Sequence, residues 1–481
     1  MGNKNNNNFY KASNTNSKIF LMVVATLGLL ITFSIVLLER SNEYKFVFLL
    51  PLAYVLILLI FSKIFIKPYY SYGPLFYAAQ IFIFIRYVLT PFSMVISNNE
   101  FLPGPDPMSY EMNMSFILMI YELLCIYIAI SIATYKNGRR KNLVGQPKYS
   151  LLGNKFIIGT ITLIFLSILV NFPNSVIPSQ VLFVNEDFSD ISSPNGIIEI
   201  MSMLFKCMSF LLILSFININ DNNRNRFINF IISFVLLVAL MALFTGTSRW
   251  TMIFMGLAGL IVIERLYPKY KFFLRIGVIS ILVTSVISIS MYKFWWALIE
   301  TDTPIKDTIL LMSTQFQAYF SGPRTVAQSL NIKDYFPAIS ISTFLNDFLG
   351  SVPFVSNFID QSDRINVYFN TYNYRNSTSL IMPLAGIGYT YFGFILAPIF
   401  TMISQWIIIK LDNLTQREGR LEFLFVYMYL GLRLSMSMGL NTQSLFTSFI
   451  LPTLPLLLIF ILNRNVYLFK SVKSKNVHLI E

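Results

Sequence analysis

The feature that most limits what this chain can become is a series of unbroken apolar runs, each about 20 residues long. Residues 19–38 are the first. A helix rises about 1.5 Å per residue, so such a run crosses a hydrocarbon core about 30 Å thick. Comparable runs recur at 46–66, 74–96, 113–134, 155–172, 197–219, 227–245, 250–263, 276–298, 383–409, 422–440 and 446–462. They lack the period-two alternation of membrane β-strands, and a spanning segment must satisfy its own backbone hydrogen bonds. The expectation is an all-α polytopic integral membrane protein with about twelve transmembrane helices. The first run is too long for a signal peptide and has no small-residue cleavage site after it, so it is expected to persist as a helix.

Composition and charge then set topology. Hydrophobic residues make up 55% of the 481 and charged residues only 12%, about half the charged share of soluble domains. The net charge of +13 does not call for a nucleic-acid partner, because the bases segregate by loop. With the N-terminus in the cytoplasm, 24 of the 36 Lys and Arg fall in cytoplasmic segments, 8 in external ones and 4 inside spans. That asymmetry obeys the positive-inside rule and puts both termini in the cytoplasm. The expected layout is a disordered cytoplasmic tail at 1–18, nine helices over 19–298, a large extracytoplasmic loop at 299–382, three helices over 383–462 and a basic cytoplasmic tail at 463–481. The two cysteines, Cys125 and Cys207, lie in apolar runs and do not form a disulfide framework. The only histidine, His478, is near the C-terminus, which disfavours histidine catalysis in the membrane.

The 299–382 interval stands apart because it is polar. A connection this long is a functional loop or is disordered, and recurring Ile, Leu, Phe and Tyr argue against disorder. Ile305, Ile309, Met312, Phe316 and Phe320 recur at helical spacing, and Leu345, Phe348 and Leu349 repeat the pattern after Ser342; both predict helices lying over the outer membrane surface. Three arginines on the outer side draw notice. Arg249 follows Gly246-Thr247-Ser248 at the start of a span, where a cation is unfavourable unless it meets an anion; it reads either as an anion site with Ser248 or as an arginine snorkelling to lipid phosphate. Arg324 follows Gly322-Pro323. Arg375 opens Arg375-Asn376-Ser377-Thr378-Ser379, next to a cluster with Tyr372 and Tyr374 whose rings and amides suit a sugar or, equally, an aromatic belt.

The Gly-Thr-Ser-Arg turn at 246–249, the long late loop, and the Arg-Asn-Ser-Thr-Ser run leading into Pro-Leu-Ala-Gly-Ile-Gly-Tyr-x-Tyr-Phe-Gly at 383–393 resemble the Wzy-type oligosaccharide repeat-unit polymerases of O-antigen and capsule synthesis. Ten residues separate Arg375 from Gly386, the arginine–glycine spacing that describes some members; nine separate Arg249 from Gly259. The resemblance implies a glycosyltransferase in the bacterial cytoplasmic (inner) membrane. It would transfer a glycan from undecaprenyl diphosphate to another lipid-linked repeat unit at the outer face, with a flippase and a chain-length regulator as further partners. Arg249, Arg324 and Arg375 would bind the diphosphate leaving group, since arginine contacts phosphate in a bidentate way. Ser248, Tyr372, Tyr374, Asn376 and Ser377 would bind substrate. The acceptor hydroxyl needs a base, for which the outer-face acids Asp347, Asp334 and Glu300 are the chief candidates, with the role assigned to Asp347. No cofactor is implied and no acid cluster spells a metal site. Two other activities fit the same chain. A lipid-linked oligosaccharide flippase would use the intramembrane charges Arg86, Glu122, Lys206 and Arg433, and a polysaccharide ligase would share the leaving group.

Overall fold

The computed structural model describes residues 3–38, 45–66, 72–97, 104–138, 149–152, 154–173, 196–219, 226–243, 249–284, 313, 316–352, 355–374 and 380–477. Among the described residues there is no strand, only an isolated bridge between Ser150 and Arg420. The helices are α1 (Asn3–Leu38), α2 (Leu49–Ile60), α3 (Ser62–Ile66), α4 (Pro74–Phe84), α5 (Thr90–Ser97), α6 (Ser109–Gly138), α7 (Lys155–Leu169), α8 (Gly196–Ile219), α9 (Arg226–Leu243), α10 (Arg249–Leu266) and α11 (Pro268–Thr284). After the polar interval begins come α12 (Pro323–Leu330), α13 (Ile332–Tyr335), α14 (Ile341–Leu349), α15 (Ile365–Tyr372), α16 (Leu384–Leu396), α17 (Ile399–Arg417), α18 (Leu421–Ser435), α19 (Thr442–Ser448) and α20 (Leu454–Val477).

The protein is a helical membrane protein. Six described helical segments are long and apolar enough to cross a bilayer: Ser17–Leu38, Pro74–Ser97, Ser109–Tyr135, Ile200–Asn218, Arg226–Leu243 and Thr442–Asn465. Two further pairs, α10 with α11 and α16 with α17, are bent by 118° and 99° and raise the number to as many as eight. Several expected spans are shorter than the apolar runs that announced them: α2 has 12 residues and α7 has 15. The run 383–409, expected as one span, is broken. Gly393 adopts φ 72°, ψ −176°, a conformation open to glycine alone, and Pro398 follows. Hydropathy cannot see such a break, because a bent apolar run has the same composition as a straight one. At the other end of the chain, α1 extends back to Asn3 through the stretch expected to be a disordered tail. Once a long apolar helix exists, each added turn needs no new nucleus.

The chain divides into two compact units. The first comprises Met1–Val144, Asp302–Asn413 and Gly431–Thr447. Its core joins α1, α2, α4, α6 and α12 through residues such as Leu50, Tyr54, Phe76, Met119, Ile126 and Val326. Between α4 and α5 the chain forms a π turn, Ile85–Leu89. Pro91 lacks the N–H that would complete the ladder, and the Thr90 hydroxyl donates to the Ile85 carbonyl at 2.9 Å, so the turn widens rather than closes. The turn carries Arg86, which is buried. Arg86 donates to Glu122 at 2.9 Å and to the Met438 carbonyl at 2.8 Å. Glu122 also accepts from Tyr87 at 2.9 Å and Thr401 at 2.7 Å. Two of the intramembrane charges noted in the sequence are thus partners.

The second unit comprises Gly145–Thr301, Leu414–Leu430 and Ser448–Glu481. Here α8 packs on α7 and α9, and α9 on α10. Residues 149–152 are pinned to the start of α18: Ser150 N donates to Gly419 O at 2.8 Å, Leu421 N to Ser150 O at 2.9 Å, and Leu152 N to the Glu422 carboxylate at 3.2 Å.

The described part of the polar interval is folded. Its helices α13 and α15 close with residues 380–387 over a small core of Ile332, Ile339, Ile365, Phe369, Leu380, Met382, Leu384 and Ile387.

Candidate functional site

The site grows from α14. The Ser340 amide donates to the Thr343 hydroxyl at 3.3 Å, one half of a capping box that starts the helix. Helical spacing then stacks Thr343, Asn346 and Asp347 on one face. That face turns inward, and Thr343 and Asp347 are buried. Facing it is the turn that precedes α15. Asp363 there accepts from the Thr343 hydroxyl at 2.8 Å, the Asn346 amide at 2.8 Å and the Tyr368 hydroxyl at 3.1 Å. The neighbouring Arg364 is also buried and donates to the Gly350 carbonyl at 3.3 Å.

Asp347 is the centre of this arrangement. Its side chain is 1% exposed, and neither carboxylate oxygen makes a hydrogen bond of full geometry. Burial pushes its pKa from 3.8 up to about 7; the Ile365 amide, the Arg364 guanidinium and the Thr442 hydroxyl lie close enough to oppose that rise, and the Asp363 charge adds to it. The Tyr391 hydroxyl and Arg364 Nε are likewise buried without hydrogen-bond partners. Tyr391 lies within electrostatic reach of Asp347. Buried polar atoms are nearly always satisfied, so unsatisfied ones beside one buried carboxylate make this cluster the candidate functional site. A carboxyl group that titrates near neutrality can accept a proton from a hydroxyl.

A second polar feature is α12, all eight of whose residues are buried although Arg324, Thr325, Gln328 and Ser329 are polar. It packs against α6 and α16. The approach to α16 depends on Gly386, where a Cβ would stand 2.1 Å from the Ser329 hydroxyl. Arg324 lies in the first turn of α12, where a cation needs an anion beside it. It is 4% exposed and pairs with Asp106 at 2.7 Å, whose own side chain is 90% exposed.

The residues singled out from the sequence fare differently. Asp347 and Arg324 are buried in polar settings within the first unit. Arg249 is the first residue of α10, as expected of a span start, but it belongs to the second unit and its side chain lies outside the described set. Ser248, Arg375, Asn376, Ser377 and Glu300 lie outside the described residues. Tyr372 is buried against Tyr335, with ring centroids 4.8 Å apart. Tyr374 is exposed. The amides beside them serve the backbone: Asn370 exchanges hydrogen bonds with Leu380 N and O at 3.0 and 2.9 Å, and Asn366 accepts from Met382 N at 3.1 Å. Among the described residues no group of three or more His, Cys, Asp or Glu could hold a metal ion.

Sequence reasoning missed Arg364, Tyr391 and Thr442. Arg364 sits in an exposed-looking Ser-Asp-Arg turn and Thr442 far along the chain, and nothing local sets either apart; Tyr391 lies within the 383–393 motif, but nothing there gives it a role of its own. Compared with family models, characterised proteins and solved structures, the chain matches none, and the site is therefore interpreted from its own residues.

Proposed function

We propose that this protein joins polyprenyl-diphosphate-linked oligosaccharide repeat units into a surface polysaccharide, O-antigen or capsule, at the outer face of the bacterial cytoplasmic membrane. The observation that carries the proposal is Asp347, a buried carboxyl group whose pKa is raised to about 7, in a cluster with the unsatisfied Tyr391 hydroxyl and Arg364 Nε. In the proposed reaction the acceptor sugar hydroxyl gives its proton to Asp347 as its oxygen bonds to the anomeric carbon of the donor. The bond between that carbon and the diphosphate oxygen breaks, and undecaprenyl diphosphate leaves with the electron pair. Arg324 and Arg375 would stabilise the charge on the departing diphosphate, which is greatest in the transition state. The layout that goes with this reaction has about twelve spans, both termini in the cytoplasm and the 299–382 segment outside. The flippase reading is weaker, because Arg86 and Glu122 neutralise each other and leave fewer charges for a cavity.

The test is complementation of a strain lacking its polymerase, with glycan length read beside protein abundance. Asp347→Asn at normal abundance is expected to leave single lipid-linked units accumulating in the outer leaflet, with polymerisation slowed by about 10²- to 10⁴-fold, the range for loss of a general base. Long chains at wild-type levels from Asp347→Asn would sink the proposal. Retention of the units in the inner leaflet would identify a flippase, and finished polymer left on its lipid a ligase.

A further inference from the structure

We propose that α14 is inserted into the bilayer interface, with Ile341, Leu345, Phe348 and Leu349 against phospholipid acyl chains. The helix is inside out by the standard of a helix in water. Its polar residues Thr343 and Asp347 are 0% and 1% exposed, while Ile341 and Leu345 are 63% and 50% exposed and Phe348 and Leu349 are 37% and 38%. The exposed residues fall at i, i+4, i+7 and i+8, a single helical stripe. In water that stripe would forfeit about 25 cal/mol for each Å² left exposed.

Three further observations identify the occupant as lipid. First, Asp347 is the only charged residue from Ile341 to Phe358, and it is buried. A helix resting on the headgroups carries a basic rim; this one has none and suits hydrocarbon. Second, the helix is held to membrane helices. Phe344 packs on Tyr391 at 5.2 Å, Phe392 at 6.2 Å and Phe400 at 5.8 Å, on either side of the break between α16 and α17. Third, apolar residues around that break, Phe392, Ile395 and Leu396, are themselves exposed, and so is Phe358 beyond the end of α14. The stripe therefore continues an apolar surface that belongs to spanning segments. On this placement one helix has lipid on one side and Asp347 on the other, which keeps bulk water from the carboxyl group.

The experiment uses the full-length protein in phosphatidylcholine vesicles, carrying Leu345→Cys or Leu349→Cys labelled with a small fluorophore. Both native cysteines are buried. Lipids bearing a spin label on the acyl chain are expected to quench both positions several-fold more than aqueous iodide does. A label at Asp334→Cys, on the exposed side of α13, is expected to show the reverse. Stronger quenching by iodide at 345 and 349 overturns the proposal. So does cross-linking between two copies through 345 without quenching by lipid, which would make the stripe a subunit interface. The readout does not depend on glycan chemistry, so the placement of α14 stands or falls separately from the proposed reaction.

Discussion

Asp347 couples a stability cost to a chemical capacity. Its pKa rises from 3.8 in the unfolded chain to about 7 in the folded one, so the folded state holds a proton that the unfolded state has released between those values. Stability therefore falls as pH rises from about 4 to about 7 and is flat above, where both states are ionised. Asp347→Asn removes that dependence. In thermal unfolding of the purified protein, the variant is expected to be at least as stable as the wild type above pH 7 and to lose its advantage toward pH 4. Polymerisation should show the opposite trend, rising as pH passes about 7 and the carboxylate forms. A wild-type rate that is flat from pH 6 to pH 8 would remove Asp347 as the base. Asp334 makes the contrast: it carries the same carboxyl group in the same interval but is exposed on α13.

At the scale of elements, breaks in helices do most of the positioning. The π turn at 85–89 brings Arg86 to Glu122 on α6, Thr401 on α17 and the carbonyl of Met438, so four elements meet at one ion pair. Such a pair adds modestly to stability when intact, but losing one partner strands a buried charge and costs about 3–5 kcal/mol. Glu122→Gln keeps the shape and removes the charge. It is expected to lower the unfolding temperature of the detergent-solubilised protein markedly, and a second change, Arg86→Gln, to restore part of the loss. An unchanged transition in Glu122→Gln would mean that the pair is not sealed from water. The kink at Gly393 and the close approach at Gly386 act in the same way, by allowing backbone positions that a side chain would block. In the polar interval, Asn366 and Asn370 replace missing backbone partners for residues 380–382, which is why a stretch without long regular structure is still folded.

For the whole molecule, the orientation proposed from the basic residues can be tested by labelling. In intact cells, cysteine at Asp334 is expected to react with an impermeant reagent added outside, and cysteine at Arg420 only after the membrane is opened; the reverse pattern would invert the topology. Membrane helices and helical content were legible in the sequence, because transfer of about 20 apolar residues into hydrocarbon depends on composition alone. So was the helix at 341–349, whose apolar spacing is local. Where helices bend was not legible, since Gly393 and the π turn change direction without changing hydropathy. Nor was the setting of Asp347. Its pKa depends on burial and on Ile365, Arg364, Asp363 and Thr442, brought from separate segments, and burial by distant chain is a property of the tertiary fold. The sequence by itself determined that this chain enters a membrane and which residues can carry charge; only the tertiary structure decided which charges are paired, as at Arg86 and Glu122, and which carboxyl group is buried with a raised pKa, as at Asp347, because desolvation and pairing are set by neighbours in space.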